Sequence, residues 1–347
     1  MNLESPIELL NLQETAEDKV LTFEPSCFDE YLGQQEIKEK LKVYTKACKQ
    51  REEQLDHLLL FGPPGLGKTT LAKVVAKELN VNFKITSAPI LERSGDLVAI
   101  LSNLSEKEIL FIDEIHRLPK NVEEILYSAM ENFCVDMIIG QGAGAKSIRL
   151  PLKPFTLIGA TTKTSLLSGP LQTRFGIVER LDFYEPQDLA NIVTQNANFL
   201  GVPILPEAAF IIGRRARGTP RIVKRLLRRV RDFAQVHKNS IIDQDVVEIA
   251  LKFLGIDEDG LNKLDRKFLE HIIKDFDGGP VGVETLAAMT GEDKETLEDV
   301  VEPFLLRQGL IQKTSRGRQI NPKKILYLRR KLFGEVIKEQ GKLFLSS

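Results

Sequence analysis

From Gly62 to Thr69 the chain reads Gly-Pro-Pro-Gly-Leu-Gly-Lys-Thr, the spacing G-x-x-x-x-G-K-T. That spacing suits a polyphosphate. Glycines let successive backbone N–H groups turn inward around an anion. Lys68 is placed to reach the β- and γ-phosphates and the Thr69 hydroxyl to ligate Mg2+, while the start of the following helix adds a favourable dipole. Gly65, Leu66, Gly67 and Thr70 complete this candidate cofactor-binding loop. Forty-five residues after Lys68, the apolar run Ile109–Ile112 ends in Asp113-Glu114. Such a pair can support metal-assisted hydrolysis, with Asp113 holding the Mg2+ water shell and Glu114 polarising the attacking water. Another apolar run ends in Thr161-Thr162. Either hydroxyl could bond the γ-phosphate or that water, and the sequence leaves open which.

Two arginines could complete the chemistry. Arg174 lies in Pro170-Leu171-Gln172-Thr173-Arg174-Phe175-Gly176. A guanidinium aimed at a neighbour's γ-phosphate spreads transition-state charge and is worth about 10³–10⁵ in rate; the plainer reading is a surface arginine in a loop. Arg221 starts a basic helix and could reach the nucleotide from there, whereas Lys224, Arg225, Arg228, Arg229 and Arg231 read as a solvated or subunit-facing surface. Lys313, Arg316 and Arg318 form a basic wing, with Lys294 at the start of a nearby helix. Phosphate contacts from such residues give affinity without reading bases. His116 reads as structural, and Cys134 as a core thiol.

These residues need a frame. The runs 58–61, 83–86, 109–112 and 155–160 read as strands, alternating with helices such as 35–50 and 69–79. Continuous apolar strands between helices predict an α/β fold whose parallel sheet is covered on both faces. Ligands bind such sheets at the carboxyl ends of the strands. Beyond Glu185 the pattern turns helical, over 187–199, 206–217, 219–237 and 243–254. After the acidic linker Asp257-Glu258-Asp259-Gly260 come helices at 264–276, 283–290 and 294–307, then a hairpin around Ser315-Arg316-Gly317-Arg318, which together predict a winged helix. The expected domains are a flexible lead (1–22), a large ATPase domain (23–184), a small helical lid (185–255) and a winged-helix head (256–347).

With 347 residues, 42% hydrophobic and 28% charged, the chain has the composition of a globular protein and room for two or three domains. No apolar run approaches the length of a membrane span. The acids at Glu4, Glu8, Glu14, Glu17 and Asp18 oppose a secretory leader, so a cytoplasmic location without membrane contact is expected. Three scattered cysteines read as reduced thiols, and the absence of CxxC argues against structural zinc. The net charge of −1 hides an asymmetry: residues 214–231 carry nine basic residues, and 313–331 carry eight and no acid. Basic patches on a neutral chain point to directed contact with polyanions.

Taken together, five stretches resemble the RuvB family of bacterial Holliday-junction branch-migration motors, a resemblance that runs from about Phe28 to the end. They are Phe61–Thr70, Asp113–Leu118, Leu157–Thr162, Arg217–Ile222 and Gly278–Gly282. Many AAA+ ATPases share the first; the combination is more specific. The resemblance implies an AAA+ P-loop parallel sheet sandwiched by helices, a helical lid and a C-terminal winged helix, using ATP and Mg2+. It implies homohexameric rings around duplex DNA at four-way junctions, in recombination and repair, with RuvA as partner and RuvC in the resolving complex. It assigns Arg174 as a finger acting in trans and Arg221 as a lid sensor. It places Phe23, Glu24, Tyr184 and Glu131-Asn132-Phe133 near the nucleotide, and Lys294, Lys313 and Arg318 on DNA. Val135–Leu152 resembles the hairpin that docks on RuvA, with Ile138, Ile139, Ile148 and Leu150 as contacts; an apolar protruding hairpin is otherwise a liability.

Two departures stand out. The family has Arg-Pro where this chain has Glu24-Pro25, which reverses a charge near the base. The family wing Arg-Thr-Pro-Arg-Gly-Arg is here Lys313-Thr314-Ser315-Arg316-Gly317-Arg318, where lysine keeps the charge and loses bidentate geometry. Rival readings are a clamp-loader-like ATPase and a winged-helix scaffold with a dead nucleotide site. The basic wing argues against the first, and intact Lys68, Thr69, Asp113, Glu114 and Arg174 against the second.

Overall fold

The computed structural model describes residues 23–139, 146–237 and 241–334. The expected lead (1–22), the glycine-rich tip of the hairpin (140–145) and the chain after Gly334 lie outside the described residues. The chain divides into two compact units between Leu227 and Arg228.

In the first unit, α1 (Gln35–Arg51) precedes β1 (Leu58–Phe61), α2 (Lys68–Leu79), β2 (Phe83–Ser87), α3 (Ser94–Ser102), β3 (Ile109–Asp113) and α4 (Lys120–Asn132). Then come β4 (Cys134–Ile139), β5 (Lys146–Pro151), β6 (Thr156–Thr161), α5 (Gly169–Gln172) and β7 (Ile177–Arg180). Five strands form one parallel sheet in the order β2-β3-β6-β1-β7. Leu59, Leu110, Ile112 and Leu157 pack on one face with Leu97 and Leu101 of α3 and Val122, Leu126 and Ala129 of α4. On the other, α2 packs against β3 and β6 and against α1.

The strand β7 is absent from the sequence expectation. Its Ile177 and Glu179 are buried while Val178 and Arg180 are exposed. As an edge strand it is covered on one face only, so it alternates and lacks the apolar run that marks β1, β3 and β6. His57, just before β1, is a second element the sequence did not announce. Its Nδ1 accepts the Leu157 N–H at 2.9 Å and its Nε2 donates to the Met130 carbonyl at 3.1 Å, between Phe133 and Phe155. Burial lowers its pKa and keeps the ring neutral. The ring thereby joins the sheet to the end of α4.

The strands β4 and β5 pair as an antiparallel hairpin from Cys134↔Pro151 to Ile139↔Lys146. Ile148 is exposed, whereas Leu150 packs against the core. Leu150 lies two residues on from Ile148 and so on the same face of the hairpin, but nearer its base, where the core reaches it.

Three helices with proline at their first position follow: α6 (Pro186–Phe199), α7 (Pro206–Arg215) and α8 (Pro220–Val236). Proline's fixed φ and missing N–H suit that position. The second unit holds α9 (Gln244–Phe253), α10 (Lys263–Asp275), α11 (Val283–Thr290), α12 (Lys294–Thr296) and α13 (Glu302–Arg307), then β8 (Ile311–Thr314), β9 (Gly317–Ile320) and α14 (Ile325–Phe333). Phe268, Leu286, Leu297, Phe304, Ile311 and Leu328 share its core, and the arrangement is a winged helix. The expected continuous helix over 294–307 is interrupted by a π turn, Leu297–Val301. Pro303 lacks the N–H that would bond four residues back, and the helix absorbs the lost bond in a wider turn.

Gly213 of α7 faces α6 so closely that a Cβ would lie 2.8 Å from the Ala190 nitrogen and 2.9 Å from the Pro186 carbonyl oxygen. Backbone cannot yield as a side chain can, so Gly213→Ala is expected to cost about 1–3 kcal/mol. Denaturant unfolding measures this, and an unchanged midpoint would show that α6 and α7 have slack.

Candidate active site

Sheet order puts three chemical segments side by side. The strand β6 lies between β1 and β3, with Thr161 beside Phe61 and Gly159 beside Ile112. The loop after β1, the Thr161-Thr162 pair and Asp113-Glu114 therefore share one edge of the sheet.

The loop is held from behind by two tyrosines. Tyr184 donates to the Leu66 carbonyl at 3.1 Å, and its hydroxyl meets that of Tyr31 at 3.0 Å. Both are buried; burial pushes Tyr31 up to about 12 and Tyr184 well above its ordinary value, so both remain neutral. Gly67 caps α2 at φ +94°, a left-handed conformation, and a Cβ there would lie 3.0 Å from the Tyr31 hydroxyl. The position thus needs glycine for both reasons. Tyr31 was not foreseen, since a lone aromatic ahead of a helix carries no motif. Arg221 joins the loop from the start of α8, its N–H donating to the Gly65 carbonyl at 3.3 Å.

Lys68 is buried and donates to the carbonyls of Gly62 (2.7 Å) and Pro63 (3.0 Å). Desolvation lowers its pKa to about 8, against the pull of Glu114 and Asp113 and with the push of Arg221. These four charged groups therefore share one low-dielectric site. Burial raises the pKa of Asp113, whose Oδ1 accepts the Glu114 N–H at 2.9 Å. Glu114 is held by His116, whose Nδ1 lies 3.2 Å from its carboxylate, and by the Thr162 hydroxyl at 3.4 Å. Thr161 is fully buried, its hydroxyl 2.9 Å from the same His116 nitrogen and accepting the Lys163 N–H. Of the two threonines, Thr162 is the one directed at Glu114. His116 does more than the sequence suggested, linking the end of β6 to the acidic pair.

The donor set fits Mg2+ bridged to phosphate. Asp113 is a half-buried carboxylate, Thr69 a half-buried hydroxyl on α2, and no group of three acidic, His or Cys residues among the described ones could cage a metal alone. Magnesium typically takes one or two protein oxygens and completes its shell with phosphates and water.

The remaining expected cofactor residues split into two groups. Near the loop, Glu24 pairs with Lys73 of α2 at 2.6 Å, an interaction that lowers its pKa. The Phe23 N–H donates to Asn196 and its carbonyl accepts from Lys224. The reversed charge at position 24 is thus matched by a lysine within this chain. Glu131, Asn132 and Phe133, by contrast, end α4, and Glu131 pairs with Arg174 at 3.0 Å. Arg174 also donates to the Pro170 carbonyl at 2.6 Å and stacks over the Tyr127 ring. None of these partners belongs to the loop or the acidic pair.

The wing is organised around a fully buried carboxylate. Glu302 accepts from Arg318 Nε at 2.6 Å and lies 2.7 Å from Lys313 Nζ, while Arg318 reaches Glu298 at 2.8 Å. Arg318 is only 13% exposed. It fastens the hairpin to α13, whereas Arg316 is exposed at the turn and Lys294 forms an exposed pair with Glu284. Sequence spacing could not show this, because Glu302 reads as an ordinary helix-surface residue.

Three family models match consecutive parts of the chain: the Holliday junction DNA helicase RuvB P-loop domain over residues 23–181, the RuvB AAA lid domain over 184–257 and the RuvB C-terminal winged helix domain over 258–329. Among solved structures, the Thermotoga maritima RuvB Holliday junction branch migration motor is 47% identical, with a TM-score of 0.78 over 88% of this chain and 98% of that one. A proline-to-glycine variant of that RuvB gives 46% identity and a TM-score of 0.80, covering 88% and 99%. An arginine-to-alanine variant gives 46% and 0.78, covering 90% and 99%.

Two outcomes are expected. A bound triphosphate favours the charged form of Lys68, so its pKa returns from about 8 toward the ordinary 10.5. Binding should then take up roughly nine-tenths of a proton at pH 9 and little at pH 7. Calorimetry in buffers of differing ionisation enthalpy measures this, and no uptake at pH 9 would contradict a desolvated Lys68. Separately, Glu302→Gln takes the fully buried counter-charge from Arg318, which is largely covered, and from the half-exposed Lys313, and is expected to lower stability by about 3–5 kcal/mol. A loss below 1 kcal/mol in urea unfolding would mean that the wing is held elsewhere.

Proposed function

This chain belongs to the RuvB family, AAA+ P-loop ATPases that are Holliday-junction branch-migration motors, and on that premise we propose that it turns ATP hydrolysis into movement of duplex DNA through four-way junctions as a homohexameric ring in the cytoplasm. RuvA, docked on the β4–β5 hairpin through Ile138, Ile139 and Ile148, and RuvC in the resolving complex are its proposed partners. The proposed division of labour is ATPase (23–184), lid (185–255) and DNA-binding head (256–347). No helix among the described residues is long and apolar enough to cross a membrane.

One observation carries this reading: Lys68, Asp113, Glu114 and Arg221 lie within electrostatic reach of one another, while the contacts of Arg174 are all elsewhere. A finger remote from its own loop suits a site shared between neighbours. In that site the loop N–H groups and Lys68 hold the phosphates and Thr69 and Asp113 hold Mg2+. The metal supplies Lewis acidity at the phosphates. Glu114, fixed by His116 and Thr162, orients the water and accepts its proton. Arg221 senses the nucleotide from the start of α8, and Tyr31 and Tyr184 keep the loop seated without adding charge. Arg174 and Glu131–Phe133 act on the next subunit's nucleotide. In the head, Arg316, with Lys294 and Lys313, contacts phosphates, and Arg318 sets the wing.

The reading favours a motor over the clamp-loader-like alternative because lid and winged-helix head both match RuvB models. Its test is branch migration of a synthetic four-way junction, with and without RuvA. Arg174→Ala is expected to bind ATP with near-normal affinity and hydrolyse it about 10³-fold more slowly. Mixing it with Lys68→Ala subunits, which lack a working loop but donate Arg174, is expected to restore hydrolysis. Wild-type turnover by Arg174→Ala would sink the shared-site reading.

A further inference from the structure

Glu123, Tyr127 and Glu131 recur every fourth residue of α4 and so share one helical face. That face receives the whole segment that carries Arg174. The Arg174 guanidinium lies 4.5 Å from the centroid of the Tyr127 ring, and one of its terminal nitrogens pairs with Glu131 at 3.0 Å. The Tyr127 hydroxyl donates to Glu123 at 2.9 Å and meets the Ser168 hydroxyl at 3.1 Å. Ser168 also bonds Glu123, and its oxygen accepts the Leu171 N–H as the cap of α5, the short helix that leads into Arg174. One stripe thus grips both the start of the segment, through Ser168, and its end, through Arg174.

We propose that the Glu123–Tyr127–Glu131 stripe is the seat that positions Arg174 for a neighbour's nucleotide, with Tyr127 as its central positioning residue. The proposal rests on Arg174 acting in trans. Stacking fixes the plane of a guanidinium through its face and leaves its N–H groups to other partners, here the Pro170 carbonyl and Glu131. A carboxylate would instead occupy the N–H edge, so the ring orients the group without consuming the donors that a phosphate needs. Glu131 takes the opposite role: it holds the guanidinium edge while no phosphate is present and yields it when a more highly charged one arrives. This accounts for a carboxylate close to an arginine meant for phosphate. A long side chain ordered beforehand loses less freedom on reaching the transition state. Tyr127 therefore acts on turnover and not on ATP binding by its own subunit, whose loop it does not touch.

The test compares Tyr127→Leu, which keeps an apolar side chain suited to a helix but removes the ring, with Tyr127→Phe, which keeps the π face. Tyr127→Leu is expected to lower kcat about tenfold with KM for ATP within about twofold, and Tyr127→Phe to retain most activity. In rings mixed with Lys68→Ala subunits, Tyr127→Leu should regain turnover as Arg174→Ala does, because sound fingers then serve its intact loops. Equal losses in the Leu and Phe variants, a rise in KM in place of the fall in kcat, or rescue of Arg174→Ala without rescue of Tyr127→Leu would overturn the seat while leaving the trans finger standing. Failure to rescue either variant would overturn the trans reading itself.

Discussion

The register of three parallel strands is the constraint on which the rest depends. With Thr161 beside Phe61 and Gly159 beside Ile112, the ends of β1, β6 and β3 lie along one edge of the sheet. Parallel strands run the same way, so the loop that follows β1 and the acids that follow β3 emerge on the same side. A slip of one residue would turn every side chain of a strand to its other face. Both faces of β1, β3 and β6 are buried against close-packed neighbours that a flipped strand would no longer fit, so the same residues that make the core also place Lys68 opposite Asp113 and Glu114.

Given that frame, the chain handles its buried charges in two ways. Lys68 has its pKa lowered by desolvation and is parked on two backbone carbonyls, a shift that a polyphosphate can reverse. Glu302 and Arg318 neutralise each other permanently, and their geometry locks the wing to α13. The first arrangement is poised for a ligand and the second is structural. The difference lies in the partner: a carbonyl can be given up to phosphate at little cost, whereas losing one side of a buried ion pair leaves an uncompensated charge. Arg174 stands between the two, stacked on Tyr127 with its pairing to Glu131 still partly solvated.

Much of this was legible in one dimension. Gly62–Thr69 and Asp113-Glu114 announce themselves because a phosphate loop and its acidic pair are local motifs on adjoining strands. The apolar runs of β1, β3 and β6 announce a covered parallel sheet for the same reason. The edge strand β7, half exposed, left no such run, and the π turn at Leu297–Val301 follows from Pro303 in a segment that otherwise reads as continuous helix.

By itself, the sequence determined the α/β class, the order of ATPase, lid and winged helix, the phosphate loop and its acidic pair, and the RuvB resemblance. Each depends on residues close together in the chain, or on a period that one element must satisfy alone. Tertiary structure decided which threonine faces Glu114, that His57 joins sheet to α4, that Tyr31 backs the loop, that Arg318 is spent on Glu302, and that Arg174 sits on Tyr127. Those pairs are 48, 100, 153, 16 and 47 residues apart or tied through such contacts. No local pattern encodes a partner that far along the chain; only the packing of strands and helices brings the two side chains within a hydrogen bond or a ring's width.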